Sequence, residues 1–209
     1  MFKNFYKNKK AGLTIIELMV VISIFMIITG ITIFNYGKFN SSSSVQNLAD
    51  DIALTVRRAQ GYAIGVHGVG NSFDEGYGVR FTTNSIESGN SGSSSSFVLF
   101  ADRNKNRVYN DNNYGICGTF TNGDECMEIL NIKSADEIKE ISLISGQYTQ
   151  TPTSVDVTFK RPNPEPKFWA NGVEQSITSL KIKISSSNND GLDKYITISN
   201  NGQISVSNN

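Results

Sequence analysis

The chain has 209 residues, with 19 basic and 19 acidic side chains and a single histidine. Apart from the four lysines of the first 12 residues, 15 basic residues stand against 19 acidic ones, a formal charge of −4 that argues against nonspecific nucleic-acid binding. His67 lies among glycines, which leaves no histidine-based triad or metal cluster, and no phosphate-cradling glycine loop occurs; an enzyme is not expected.

Residues 1–12 carry Lys3, Lys7, Lys9 and Lys10 and no acid, a charge bias that keeps this end in the cytoplasm and sends the C-terminus across the membrane. From Leu13 to Phe34 runs a 22-residue apolar stretch broken only by Glu17, Ser23, Thr29, Gly30 and Thr32. As a helix it spans roughly 33 Å, enough to cross a bilayer core. The hydroxyls can bond back to their own helix. Glu17 is the costly residue: an ionised group there costs on the order of a few kcal/mol and calls for a specific partner. The plainer alternative places it near the cytoplasmic end, within reach of headgroups or water. A cleaved signal peptide fits poorly, because no small-x-small site follows Phe34. A simple signal anchor tolerates the segment but explains neither Glu17 nor the Ala11-Gly12 break.

The run Lys9-Lys10-Ala11-Gly12-Leu13-Thr14-Ile15-Ile16-Glu17-Leu18-Met19 resembles the cleavage and methylation motif of type IV prepilins and type II secretion pseudopilins. Leu13 is its one departure, standing where the family most often has Phe. The resemblance implies that a prepilin peptidase cuts between Gly12 and Leu13 and methylates the new Leu13 amine. It also implies that Glu17 becomes the counter-charge for such an amine when helices bundle into a filament. In a low-dielectric bundle that pair is strong, whereas either charge alone is costly.

Past the apolar run, Gly37 and Ser41-Ser42-Ser43-Ser44 make residues 35–44 an expected hinge or linker: a kink, a loop or a melted turn. Ser43 and Gln46 have the spacing of a capping box that restarts a helix. From Val45 to about Val66 the period is helical, with Val45, Leu48, Ala49, Ile52, Val56, Ala59 and Ala63 on one stripe. Gly65, Gly68 and Gly70 then end it. Leu48 to Ile64, with Arg57-Arg58-Ala59-Gln60, is similar to the end of the first helix in GspH/FimT minor pseudopilins.

The remainder reads as β structure. Strands are expected at 77–81, 97–100, 127–132 and 138–144, and strict alternation marks Val155, Val157 and Phe159 and then Leu180, Ile182 and Ile184. Residues 84–96 form a Ser/Gly-rich loop. Pro162-Asn163-Pro164-Glu165-Pro166 is expected to break regular structure ahead of Trp169, itself expected in the core. At the end, an Asn200-Asn201-Gly202 loop pairs Ile198 with Ile204 and Ile196 with Val206; a two-residue turn would put the two apolar sets on opposite faces. Gly202 is then left-handed at a bulge.

Two further features stand out. Cys117 and Cys126 are the only cysteines, lie outside the membrane and read as a disulfide; two sulfurs without nearby histidines make a poor zinc site. Asp102, Asn104 and Asn106, with the Val108 carbonyl and then Asp111, match the opening of an EF-hand-like calcium loop. The pattern then fails: Arg107 stands where that loop has Gly, Asn113 where it has Glu, and Arg103 and Lys105 dilute the charge. An Asx-turn-rich loop held by its own hydrogen bonds is the preferred reading, with no cofactor, and calcium is the alternative. The run Phe97 to Asp111, then Asp124-Glu125, also resembles a segment of GspH/FimT proteins.

These observations combine into an α+β, pilin-like architecture: a long N-terminal helix, half membrane-spanning and half amphipathic, packed on an antiparallel β-sheet domain. The expected divisions are 1–12, a leader that is removed; 13–34, the membrane and filament-core helix; 35–44, the hinge; and 45–209, the extracytoplasmic domain. The expected function is a structural subunit, a minor pilin or pseudopilin. It is anchored once in the bacterial cytoplasmic membrane with its C-terminus outside, and then enters a filament. Its expected partners are other pilin subunits, prepilin peptidase and an inner-membrane assembly platform. A major shaft pilin is one alternative; the mid-domain position of the cysteines disfavours it. DNA capture, as in some FimT-like proteins, is another, but Gly202-Gln203-Ile204-Ser205 lacks the arginines of the family's Gly-Arg-x-Arg tail.

Overall fold

The structure is a computed structural model that describes residues 12–65, 67–69, 73–85, 90–110, 117–120, 124–186 and 192–208. The expected leader, apart from Gly12, and Asp111 lie outside the described residues, as do Val66 and Gly70. The chain divides into two compact units at Asn40/Ser41.

One helix, α1 (Ile15–Ile64), runs without interruption for 50 residues. No loop or melted turn replaces it over 35–44. Serine lowers helix stability chiefly by offering the backbone competing hydrogen bonds. Here Ser44 Oγ instead donates to Asp136 Oδ2 at 2.5 Å. The Ser43/Gln46 capping box does not form either, because both residues lie inside the helix; Gln46 Nε2 donates to Asp50 Oδ2 at 2.9 Å. In the first unit the apolar side chains from Leu13 to Phe34 are exposed, and this part of the helix is long and apolar enough to cross a membrane.

In the second unit the expected stripe is buried in full: Val45, Leu48, Ala49, Ile52, Val56, Ala59 and Ala63, joined by Ala53. Its off-stripe neighbour Leu54 is 66% exposed. The helix ends at Ile64, with Gly65 N–H bonded to the Gly61 carbonyl at 2.8 Å.

Among the described residues eleven strands follow, and every pairing between them is antiparallel. They are β1 (Gly76–Thr82), β2 (Ser96–Asp102), β3 (Cys126–Asn131), β4 (Asp136–Ser145), β5 (Tyr148–Gln150), β6 (Ser154–Lys160), β7 (Asn163–Ala170), β8 (Val173–Gln175), β9 (Ser179–Ser186), β10 (Asp193–Ser199) and β11 (Ile204–Asn208). One sheet has the order β3-β2-β1-β6-β7-β8, the other β11-β10-β9-β4-β5. One face of each sheet and the α1 stripe share a single core that contains Val79, Phe81, Leu99, Val157, Phe159, Ile182 and Ile198. Burying each such side chain contributes about 1.5–3 kcal/mol.

Local irregularities keep apolar residues on the core side. Ile138 and Ile141 are three apart, which in a regular strand sends them to opposite faces. A register shift between Ile138 and Glu140 resets the alternation, and both are buried. The last hairpin pairs Ile196 with Val206 and Ile198 with Ile204, and Ser199 N–H bonds to the Gln203 carbonyl at 2.9 Å around Asn200-Asn201-Gly202. Gly202 has φ 84°. Both features are as the alternation requires.

The proline-rich segment breaks regular structure only at Pro162, in the turn after β6; Asn163 to Pro166 form the first half of β7. The β6–β7 register shifts between Thr158 and Lys160, opposite Lys167 to Asn163, and β8 pairs only with Phe168, Trp169 and Ala170. Pro164 and Pro166 therefore occupy an irregular, one-sided stretch where a missing N–H breaks no second ladder. Trp169 is half-buried and stays out of the core; Phe168, one residue earlier and on the other face, takes that place at 2% exposure.

Candidate functional site

Two places gather the residues singled out above. The first is the start of α1. Glu17 N–H donates to Thr14 Oγ1 at 3.3 Å, and Leu18 N–H to the Thr14 carbonyl at 3.1 Å. Thr14 therefore caps the helix, and Glu17 lies in its first turn, where a carboxylate is favoured by the helix dipole. The Thr14-x-x-Glu17 spacing was available as a capping signal. Gly12 and Leu13 lie just ahead of the cap, and Leu13 is 73% exposed.

The second place is the outer face of the larger sheet. Val98, Phe100, Tyr109 and Cys126 form a small separate core there, with Cys117 and Ile129 packed against it. Chain segments from the 103–126 region cover β2 on the side away from α1, so every residue of that strand is buried. Cys117 and Cys126 are disulfide-bonded, with Cα atoms 4.9 Å apart.

Asp102 closes β2 at 1% exposure. Burial raises its pKa, opposed by backbone N–H bonds from Arg107, Asn106 and Lys105. Asn104 and Asn106 form the expected Asx turns: Asn106 N–H donates to Asn104 Oδ1 at 3.0 Å, and Val108 N–H to Asn106 Oδ1 at 2.8 Å. Their amide nitrogens both reach Asn110 Oδ1, at 2.7 and 2.6 Å. Lys105 and Arg107 adopt left-handed backbone angles, φ 64° and 65°. Arg107 thus makes the bend that glycine makes in an EF-hand-like loop.

Glu125, fully buried, stands out in the sequence only as part of a family-like run. Its Oε1 accepts Asn104 N–H at 3.3 Å and its Oε2 accepts Asn110 N–H at 2.8 Å. Burial pushes its pKa up to about 7; these N–H bonds pull it down, and the Asp102 charge pushes it further up. Arg103 ties the two loops together, donating to the Phe120 carbonyl at 2.8 Å.

Beside this cluster, Arg80 Nη1 donates to both oxygens of Asp156, at 3.0 and 3.1 Å, and Tyr109 N–H donates to Asp156 Oδ2 at 3.3 Å. Burial raises the Asp156 pKa to about 6 despite the Arg80 charge. No sequence pattern marks this pair, because it depends on β1 lying beside β6. Among the described residues, no group of three or more His, Cys, Asp or Glu side chains is arranged to hold a metal ion.

Residues 7–33 match the family model described as the prokaryotic N-terminal methylation motif. No curated protein and no solved structure matches the chain. The motif match supports a pilin- or pseudopilin-type subunit processed by prepilin peptidase, a structural component rather than an enzyme.

Proposed function

We propose that the chain is a minor pilin or pseudopilin of a type IV pilus or type II secretion-type filament. The observation that carries this reading is the methylation motif at residues 7–33, which from Ile15 onward lies on a helix, with apolar side chains exposed from Leu13 to Phe34. Such a surface is stable only in lipid or against other helices. Prepilin peptidase cuts between Gly12 and Leu13, which leaves the membrane helix on the mature protein, and methylates the Leu13 amine. Lys3, Lys7, Lys9 and Lys10 hold the leader in the cytoplasm, and residues 45–209 lie outside the cytoplasmic membrane.

On extraction from the membrane by the assembly platform, Glu17 exchanges water and headgroups for the Leu13 amine of an adjoining subunit. The pair sets the axial stagger, because an unpaired charge inside the bundle is costly. The minor role is favoured by the disulfide, which sits in the middle of the domain rather than near its C-terminus. Intact-mass spectrometry of the membrane-extracted protein tests the processing step. The expected product starts at Leu13 and carries one added methyl group; a product with an intact Met1 start overturns the reading. Glu17→Gln is expected to be cleaved normally yet fail to enter filaments; normal incorporation removes the proposed role of the carboxylate.

A further inference from the structure

We propose that the 102–110 loop and Glu125 form a binding site for one divalent cation of the calcium class. The loop follows the opening of an EF-hand-like sequence and lacks its closing glutamate at Asn113. Glu125, from the segment entering β3, brings a carboxylate against the two ends of the same loop, touching the Asn104 and Asn110 N–H groups.

The observation pointing to a ligand is the state of Asp102. Its side chain is 1% exposed and sits inside the bend, held by the N–H groups of Lys105, Asn106 and Arg107. Its Oδ1 is nevertheless buried with no hydrogen-bond partner among the described residues. Buried carboxylate oxygens rarely stay unpartnered without an ion or another group to meet them. A second buried carboxylate, Glu125, feels the Asp102 charge directly.

Two of the nearby cations are turned elsewhere, while Lys160 acts on Asp102 through its charge alone. Lys105 pairs with Asp74 at 3.2 Å, and Arg103 donates to the Phe120 and Asp124 carbonyls. The remaining donors are also oxygens. Asn104 Oδ1 and Asn106 Oδ1 each accept one backbone N–H, which leaves each a second lone pair. The Val108 carbonyl follows at the next alternate position. An all-oxygen set with two carboxylates suits a hard cation, and its adaptable spacing suits calcium over magnesium.

The test is calorimetric titration of the purified full chain in detergent micelles with calcium chloride, and with magnesium chloride in parallel. One calcium per chain is expected, with Kd in the range of roughly 10⁻⁵–10⁻³ M, and weaker binding of magnesium. Asp102→Asn and Glu125→Gln should each weaken binding at least ~10-fold, as loss of a charged oxygen ligand requires. Arg107→Gly should strengthen it, since it removes a positive charge and suits the left-handed bend. Asn106→Ala, at an exposed side chain, provides the test should both carboxylate variants fail to fold; it too should weaken binding. Absence of calcium binding to the wild-type chain, equal affinity for magnesium, or unchanged binding in the folded ligand variants overturns the proposal.

Discussion

Replacing Arg80 with methionine tests how the outer face of the larger sheet is held. Arg80 and Asp156 lie directly opposite each other on β1 and β6, and Asp156 is 1% exposed. In the unfolded chain its carboxyl titrates near 3.8; in the fold, burial raises that to about 6, with Arg80 the largest opposing influence. A native value above the unfolded one means that the fold binds more protons between the two. Stability from this group is therefore greatest at low pH and falls as pH rises from about 4 to about 6, by ~3 kcal/mol. Arg80→Met removes the counter-charge. At pH 8 it leaves an ionised, buried carboxylate and should cost about 3–5 kcal/mol. At pH 5 the carboxyl takes up a proton instead, and the penalty should shrink markedly. Glu125 titrates with the same sign, but it is common to both proteins and drops out of the difference. Trp169 pairs with Asp156 across β6 and β7 and is the only tryptophan, so urea unfolding of the full chain in mild detergent can be followed by its fluorescence. Adding Asp156→Asn to Arg80→Met should recover most of the loss at pH 8, because the amide oxygen still accepts the Tyr109 N–H. A penalty equal at pH 5 and pH 8 would refute the account.

Two other outcomes follow from the packing. Reducing the Cys117–Cys126 disulfide, or replacing both cysteines with serine, should cost roughly 2.5–3 kcal/mol by the chain-entropy estimate for so short a loop, measurable as a lower urea midpoint. Gly78→Ala should destabilise the larger sheet by about 1–3 kcal/mol. A methyl group there lies 2.5 Å from Phe100 Cζ and 2.7 Å from the Val157 carbonyl oxygen, and backbone cannot move aside as a flexible side chain does. A Gly78→Ala variant with an unchanged thermal midpoint would contradict so close an approach of β1 to β6.

Much of this fold can be read from periodicity, because the core-facing positions obey it. The α1 stripe, the alternation of β6 and β9 and the parity of the last hairpin each have one solution that buries the apolar set. Composition misleads where tertiary contacts outweigh local preference. The four serines from Ser41 to Ser44 look like a melted turn, but α1 continues through them and the hydroxyl of Ser44 is taken by Asp136 on β4, far along the chain. The prolines of β7 look like a break, but the ladder they interrupt is one-sided. The second small core needs knowledge that Tyr109, Cys117 and Cys126 pack against Val98 and Phe100 of β2. The same holds for Glu125: nothing local says that it returns to the loop begun at Asp102. By contrast, the processing motif around Gly12, Leu13 and Glu17 is contiguous, which is why sequence alone suffices to find it.

The double covering of β2 has a consequence for how the protein tolerates variation. Along β9, half-buried and buried positions alternate, so a library of polar substitutions should show hits and misses in steps of two. Along β2 no such rhythm is expected, because each of its seven residues is buried. Natural drift in this domain should therefore accumulate at the half-buried positions of strands such as β9 and spare the segment from Ser96 to Asp102 as an uninterrupted block.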